Sequence, residues 1–129
     1  MLLGLATGLQ NKICVQDIGL TGLTAADGLA VGRPSSFVGR TICELLAGEF
    51  TVADARLYDY LGALLKTEGL FIEPSACAAF IGPSRFTSLS EFINKHDLRE
   101  KLQNATHIAW ATGGKLVPEA ERERLKRVP

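Results

Sequence analysis

Apolar residues recur at helical spacing in several stretches of the chain, and short unbroken apolar runs lie between them. The opening, residues 1–9, is an apolar helical segment that begins without a capping residue, as a cut end would. Ile13-Cys14-Val15 is a short apolar run. Residues 17–36 follow, glycine-rich with little periodicity, and predict a long loop. Ser35 or Ser36 can cap a helix whose apolar face is Val38, Ile42, Leu45 and Leu46, with Gly48 placed to end it. Thr51-Val52-Ala53-Asp54 resembles a capping box with aspartate at its third position. It opens a helix that buries Leu57, Leu61, Leu64 and Leu65 and stops at Gly69.

Leu70-Phe71-Ile72 reads as a short buried strand that turns at Glu73 into a helix, with Pro74 at its first position and small residues (Ala76, Ala78, Ala79) on its faces. Residues 83–105 are a polar excursion, helical or irregular, closed by Asn104. Ile108 to Ala111 is a second buried strand. The final helix begins near Pro118 and sets Glu119, Glu121 and Glu123 ahead of Arg124, Lys126 and Arg127, the order that suits a helix dipole. Helix, strand, helix, strand, helix is an α/β pattern.

Composition narrows the possible functions. The chain has 129 residues, 47% of them hydrophobic, and its 14 basic and 14 acidic side chains cancel. That predicts one soluble globular domain, or a piece of one. The balanced charge lacks the basic stripe of a nucleic-acid-binding surface. No apolar run reaches the roughly 20 residues of a membrane span, and the first residues lack a signal-peptide pattern, so a cytoplasmic location is expected. Cys14, Cys43 and Cys77 are odd in number and widely spaced, which argues against a zinc site or a disulfide framework and predicts reduced core thiols.

Candidate chemistry sits at two strand-to-helix turns, "FIEPSA" (71–76) and "AWATGG" (109–114), because ligands of open parallel sheets bind beyond the carboxyl ends of strands. Both turns present a polar residue, Glu73 and Thr112. Thr112 could equally cap a turn, Glu73 could equally complement the helix it precedes, and Gly113-Gly114 could serve only a tight bend. Neither a carboxylate pair nor a Ser/His/Asp arrangement can be assembled, so no catalytic or metal-ligating residue is assigned. Tyr58, Tyr60 and His96 read as helix-face or surface residues.

Four stretches together, "MLLGLATGL", "VQDIGLTGLTAADGLAVGRPSSFVGR", "GLFIEPSACAAF" and "THIAWATGG", resemble the carboxy-terminal part of the bacterial D-serine dehydratase (D-serine ammonia-lyase) family. The likeness runs in order over essentially all 129 residues and is weakest at 83–104. It implies an α/β fold: the C-terminal part of the large domain of a tryptophan-synthase-β-like, fold type II enzyme, with residues 1–129 a portion of that domain. It also implies pyridoxal phosphate as cofactor and elimination of water from D-serine to give pyruvate and ammonia.

The resemblance further implies that Thr112 hydrogen-bonds the pyridine nitrogen of the cofactor, that Gly113 and Gly114 keep side chains clear of the ring, and that Glu73 lies beside it. The family reads Thr-Gly-Gly-Gly where this chain has Lys115 in the last place. Neither the cofactor-bearing lysine motif nor the glycine-rich phosphate loop is matched in 1–129, and Lys12, Lys66, Lys95, Lys101, Lys115 and Lys126 all stand in other contexts. The expectation is therefore a piece of a lyase, inactive alone, that self-associates through exposed core surface around Leu2, Leu3, Leu5 and Leu9. A non-catalytic ligand-binding module and a purely structural α/β piece are the rival readings.

Overall fold

The computed structural model describes residues 2–126. Met1 and Arg127, which belonged to the expected first and last helices, lie outside the described residues, as does the side chain of Lys126. The chain divides into two compact units, Met1–Thr51 and Val52–Pro129.

In the first unit, helix α1 (Leu2–Ala6) packs on α2 (Ser36–Ile42) and on a 3-10 turn at Gln10–Lys12. Gly4 is buried because a side chain there would meet the Gln10 carbonyl at 2.6 Å and Pro34 at 2.9 Å. Ser35 caps α2 by accepting the Val38 N–H, which resolves the choice between the two serines. The helix ends at Ile42, not at Gly48, and Leu45 is 85% exposed. With Leu45 left in solvent, burial of the stripe does little to extend the helix. The apolar run at 13–15 leads from buried Ile13 into a turn. Val15–Ile18 forms a 3-10 turn, closed by Asp17, which accepts the Cys14 N–H at 2.8 Å and its thiol at 3.3 Å. These two bonds, the backbone one first, hold the Asp17 carboxyl below its ordinary range.

The second unit is built on α3 (Asp54–Glu68). It packs against α4 (Pro74–Cys77), the 3-10 turn Ala78–Ile81 and α8 (Glu119–Lys126). Leu57 and Leu61, four residues apart on one face, are each 1% exposed, and Ile72, Cys77, Ile81, Ile93 and Leu125 complete the core. Gly69 closes α3 in the left-handed conformation, as its position predicts. The start differs: Ala53 is the N-cap, without a side-chain bond, so Thr51 does not form the expected capping box. Three short helices, α5 (Gly82–Thr87), α6 (Ser90–Lys95) and α7 (Arg99–Gln103), fill the polar excursion, and Asn104 ends it.

No residue among those described lies in a β-strand. The α/β expectation is therefore not met within this chain. A strand exists only through a ladder to a neighbour, and neither 70–72 nor 108–111 has one here. Ile72 is buried, but Ile108 and Trp110 are 86% and 79% exposed, so the second segment is not the buried strand its composition suggests.

Of the cysteines, which are free thiols, only Cys77 is a core residue; Cys14 is half-buried and Cys43 exposed. Burial pushes the Cys77 thiol up to about 11. Among the described residues no helix is long and apolar enough to cross a membrane, and no cluster of His, Cys, Asp or Glu could hold a metal ion.

Candidate functional site

Glu73 is the N-cap of α4, with Pro74 at the first helical position, where its missing N–H leaves no donor unsatisfied. The Glu73 side chain makes no capping hydrogen bond. It turns instead toward Gly113, where a Cβ would stand 2.5 Å from the carboxylate carbon and from Oε2. A capping hydrogen bond from this side chain is thus absent, while its charge still stands at the amino end of α4.

Gly113 and Gly114 have φ of 69° and 84°, the left-handed region that glycine enters without a steric penalty. Gly114 is buried against backbone: a Cβ would meet the Phe71 carbonyl oxygen at 2.6 Å and the Ile72 Cα at 2.8 Å. Torsion favours glycine at both positions, and close approach to backbone requires it at Gly114; at Gly113 the neighbour is the movable Glu73 carboxylate. The two stretches marked by the sequence, 71–73 and 112–114, are therefore pressed together, and Thr112, which is exposed, stands next to the Glu73–Gly113 contact.

One residue of this arrangement has no counterpart in the sequence reading. Arg122, on the first turns of α8, donates from Nε to the Val117 carbonyl at 3.0 Å and from Nη2 to the carbonyls of Gly114 at 2.6 Å and Lys115 at 2.8 Å. Its guanidinium carbon lies 5.1 Å from the centre of the Phe71 ring. A signal for it did exist. Glu119, Glu121 and Glu123 suit the amino end of a helix and an arginine among them does not, so Arg122 needed a partner elsewhere.

Other expected features fall outside this place. Tyr60 packs on Phe80 with ring centres 6.1 Å apart and lies under Arg56, and His96 stacks on Phe92 at 4.3 Å. Lys115 contributes its carbonyl to Arg122, and its side chain is exposed. A hollow of about 460 Å³ between Arg56, Tyr60, Ser84 and Arg85 includes none of Glu73, Thr112 or Gly113. What the 71–73 and 112–114 stretches offer is an open ledge: a hydroxyl, a carboxylate and a backbone stripped of side chains, to which a flat polar ligand could be applied from one side.

No protein-family model matches the chain. Individual proteins do: the chain is similar to a segment of several bacterial proteins. Each of these relatives is named a probable D-serine dehydratase. One from Bacillus cereus (strain 03BB102) is 54% identical over 119 residues, 92% of this chain and 27% of the relative. One from Colwellia psychrerythraea is 54% identical over 125 residues, 96% of the chain and 28% of the relative, and one from Histophilus somni is 53% identical over 124 residues with the same two coverages. The chain thus spans a little over a quarter of the length of the relatives it matches.

Proposed function

We propose that the chain is the carboxy-terminal portion of the large domain of a D-serine dehydratase, and that its Thr112-Gly113-Gly114 turn and Glu73 form one side of the pyridoxal phosphate site. The observation that carries this reading is the packing of Glu73 on Gly113. Two stretches 40 residues apart in sequence meet there, which supports the reading of a shared surface for a flat heteroaromatic ring. When bound, the cofactor supplies an electron sink for the bond-breaking at the substrate's α-carbon.

The residues fit such a ring on their own chemistry. The Thr112 hydroxyl can either donate to or accept from a ring nitrogen, so it holds the ring without demanding that the nitrogen be protonated. Gly113 and Gly114 leave no Cβ in the way of a ring laid against the turn. The Glu73 carboxylate stands at the edge of the same ledge, where it can orient the ring or exchange a proton with a polar substituent. The rest of the site, including the lysine that carries the cofactor and the phosphate cradle, belongs to the remainder of the enzyme. The same remainder would supply strands beside 70–72 and 108–111, restoring the fold type II α/β sheet and covering Ile108, Trp110 and Leu116, the last 95% exposed.

The activity assigned is elimination of water from D-serine to pyruvate and ammonia. It is tested by exchanging this chain for the matching segment of the full-length Bacillus cereus relative. The hybrid should release pyruvate from D-serine, and Thr112→Val should weaken cofactor binding and turnover by about 1–3 kcal/mol, roughly five- to a hundred-fold. A hybrid carrying T112V that equals the unsubstituted one would refute the role of Thr112. Alone, the chain should self-associate through its uncovered apolar side chains and bind an apolar dye; a dye-silent monomer on gel filtration would contradict this.

A further inference from the structure

We propose that Arg122 is a positioning residue, whose guanidinium locks the Thr112-Gly113-Gly114 turn in register with Glu73. The assignment rests on the reading of that turn as a cofactor contact but is carried by a different observation. A single side chain bonds the carbonyls of Gly114, Lys115 and Val117 and lies over the ring of Phe71. Those carbonyls belong to the turn that follows Thr112, and Phe71 opens the stretch that ends at Glu73. The guanidinium therefore touches both stretches of the candidate site while its own backbone is anchored in α8.

The chemistry requires arginine. Three carbonyls converge from different directions, and the rigid planar fork reaches them together, whereas the ammonium of lysine is a single point on a flexible stem. The Gly114 carbonyl also receives the Val117 N–H at 3.2 Å, a backbone closure of the bend to which Arg122 adds three side-chain bonds. Without them the Lys115 and Val117 carbonyls lose these side-chain bonds, the Gly114 carbonyl keeps only the Val117 N–H, and the bend is free to open. Gly113 then shifts away from Glu73, and Thr112, the residue before it, shifts with it.

The test has two parts. In the 129-residue chain, Arg122→Met should speed hydrogen exchange at the Val117 amide at least ten-fold and shift the amide signals of Gly113 and Gly114. It should also change the fluorescence of Trp110, the single tryptophan. The amides of α3 around Leu57 and Leu61 should stay protected. Arg122→Lys should recover only part of the effect. Unchanged turn amides in R122M would overturn the proposal, and so would a uniform loss of signals throughout the second unit in both variants, which would make Arg122 a general structural residue. In the full-length hybrid, R122M should raise the dissociation constant for pyridoxal phosphate at least ten-fold, and by much less when T112V is already present. If T112V alone leaves that constant unchanged while R122M still moves the turn amides, the cofactor role of Thr112 falls and the clamp stands.

Discussion

The carboxylate of Glu73 occupies the space a side chain at position 113 would need: a Cβ on Gly113 would lie 2.5 Å from both its carbon and its Oε2. Gly113→Ala therefore suffers twice, from a φ of 69° and from this overlap. Gly69, in the same unit, has a φ of 64° with nothing within 4 Å, so it isolates the torsional part. Gly69→Ala is expected to cost about 1–2 kcal/mol, and Gly113→Ala more, by whatever it takes to displace the flexible Glu73 carboxylate. In a Glu73→Ala background the two penalties should become equal. Urea midpoints for the four variants check this, and equal penalties with Glu73 present would mean that the contact carries no weight.

The core of the same unit offers a second test. Leu61 is 1% exposed on the face of α3 that meets α4 and α8. Leu61→Ala should lower stability by about 2–5 kcal/mol, a large share of what a small domain possesses. A loss under 1 kcal/mol by denaturant titration would show that α3 is not the centre of the unit.

How much of this was legible in the sequence depends on the range of the signal. Gly69 as the stop of α3 and Pro74 as the first residue of α4 are decided by groups within four residues and stand as the sequence implies, and the cap of α2 is Ser35, one of the two serines the sequence offered. The pairing of Glu73 with Gly113 is not local. The sequence marked both residues but could not bring them together. Strands fare worst, because a strand needs a neighbour: apolar runs at 70–72 and 108–111 have no ladder within this chain. The expected exposure around the first helix is similarly displaced. Leu2 and Leu9 are 39% and 48% exposed, whereas Leu116, Leu23 and Ile108 exceed 85%.

Titration separates the two units. The Asp17 carboxyl is held below its ordinary value of 3.8, so its contribution is present above that pH and is lost as pH falls through the lower folded value. The Cys77 thiol moves the other way, from 9.0 to about 11, so the unfolded chain ionises first and stability declines as pH rises between those values. NMR titration of Asp17 and alkylation rates of Cys77 against exposed Cys43 read each effect. Alkylation of Cys77 as fast as Cys43 at pH 9 would contradict its burial.

Lysine chemistry bears on the division of labour within the proposed enzyme. Lys12, Lys66, Lys95, Lys101 and Lys115 are all exposed, and an exposed amine has neither the desolvation nor the held aldehyde that a Schiff base needs. Incubation of the chain with pyridoxal phosphate, borohydride reduction and mass mapping should yield scattered, substoichiometric labelling. Stoichiometric labelling of one residue, Lys115 above all, together with pyruvate release from D-serine, would make the chain a catalyst in its own right.

The role of Thr112 is tested most directly by the nitrogen nucleus it is assigned to touch. Pyridoxal phosphate labelled with ¹⁵N in its ring is bound to the full-length hybrid carrying this chain, and the ring-nitrogen chemical shift is measured with Thr112 intact and in T112V. A hydrogen bond between the hydroxyl and the ring predicts a clear displacement of that shift on substitution, accompanied by weaker binding. An identical shift and affinity in the two proteins would contradict the account.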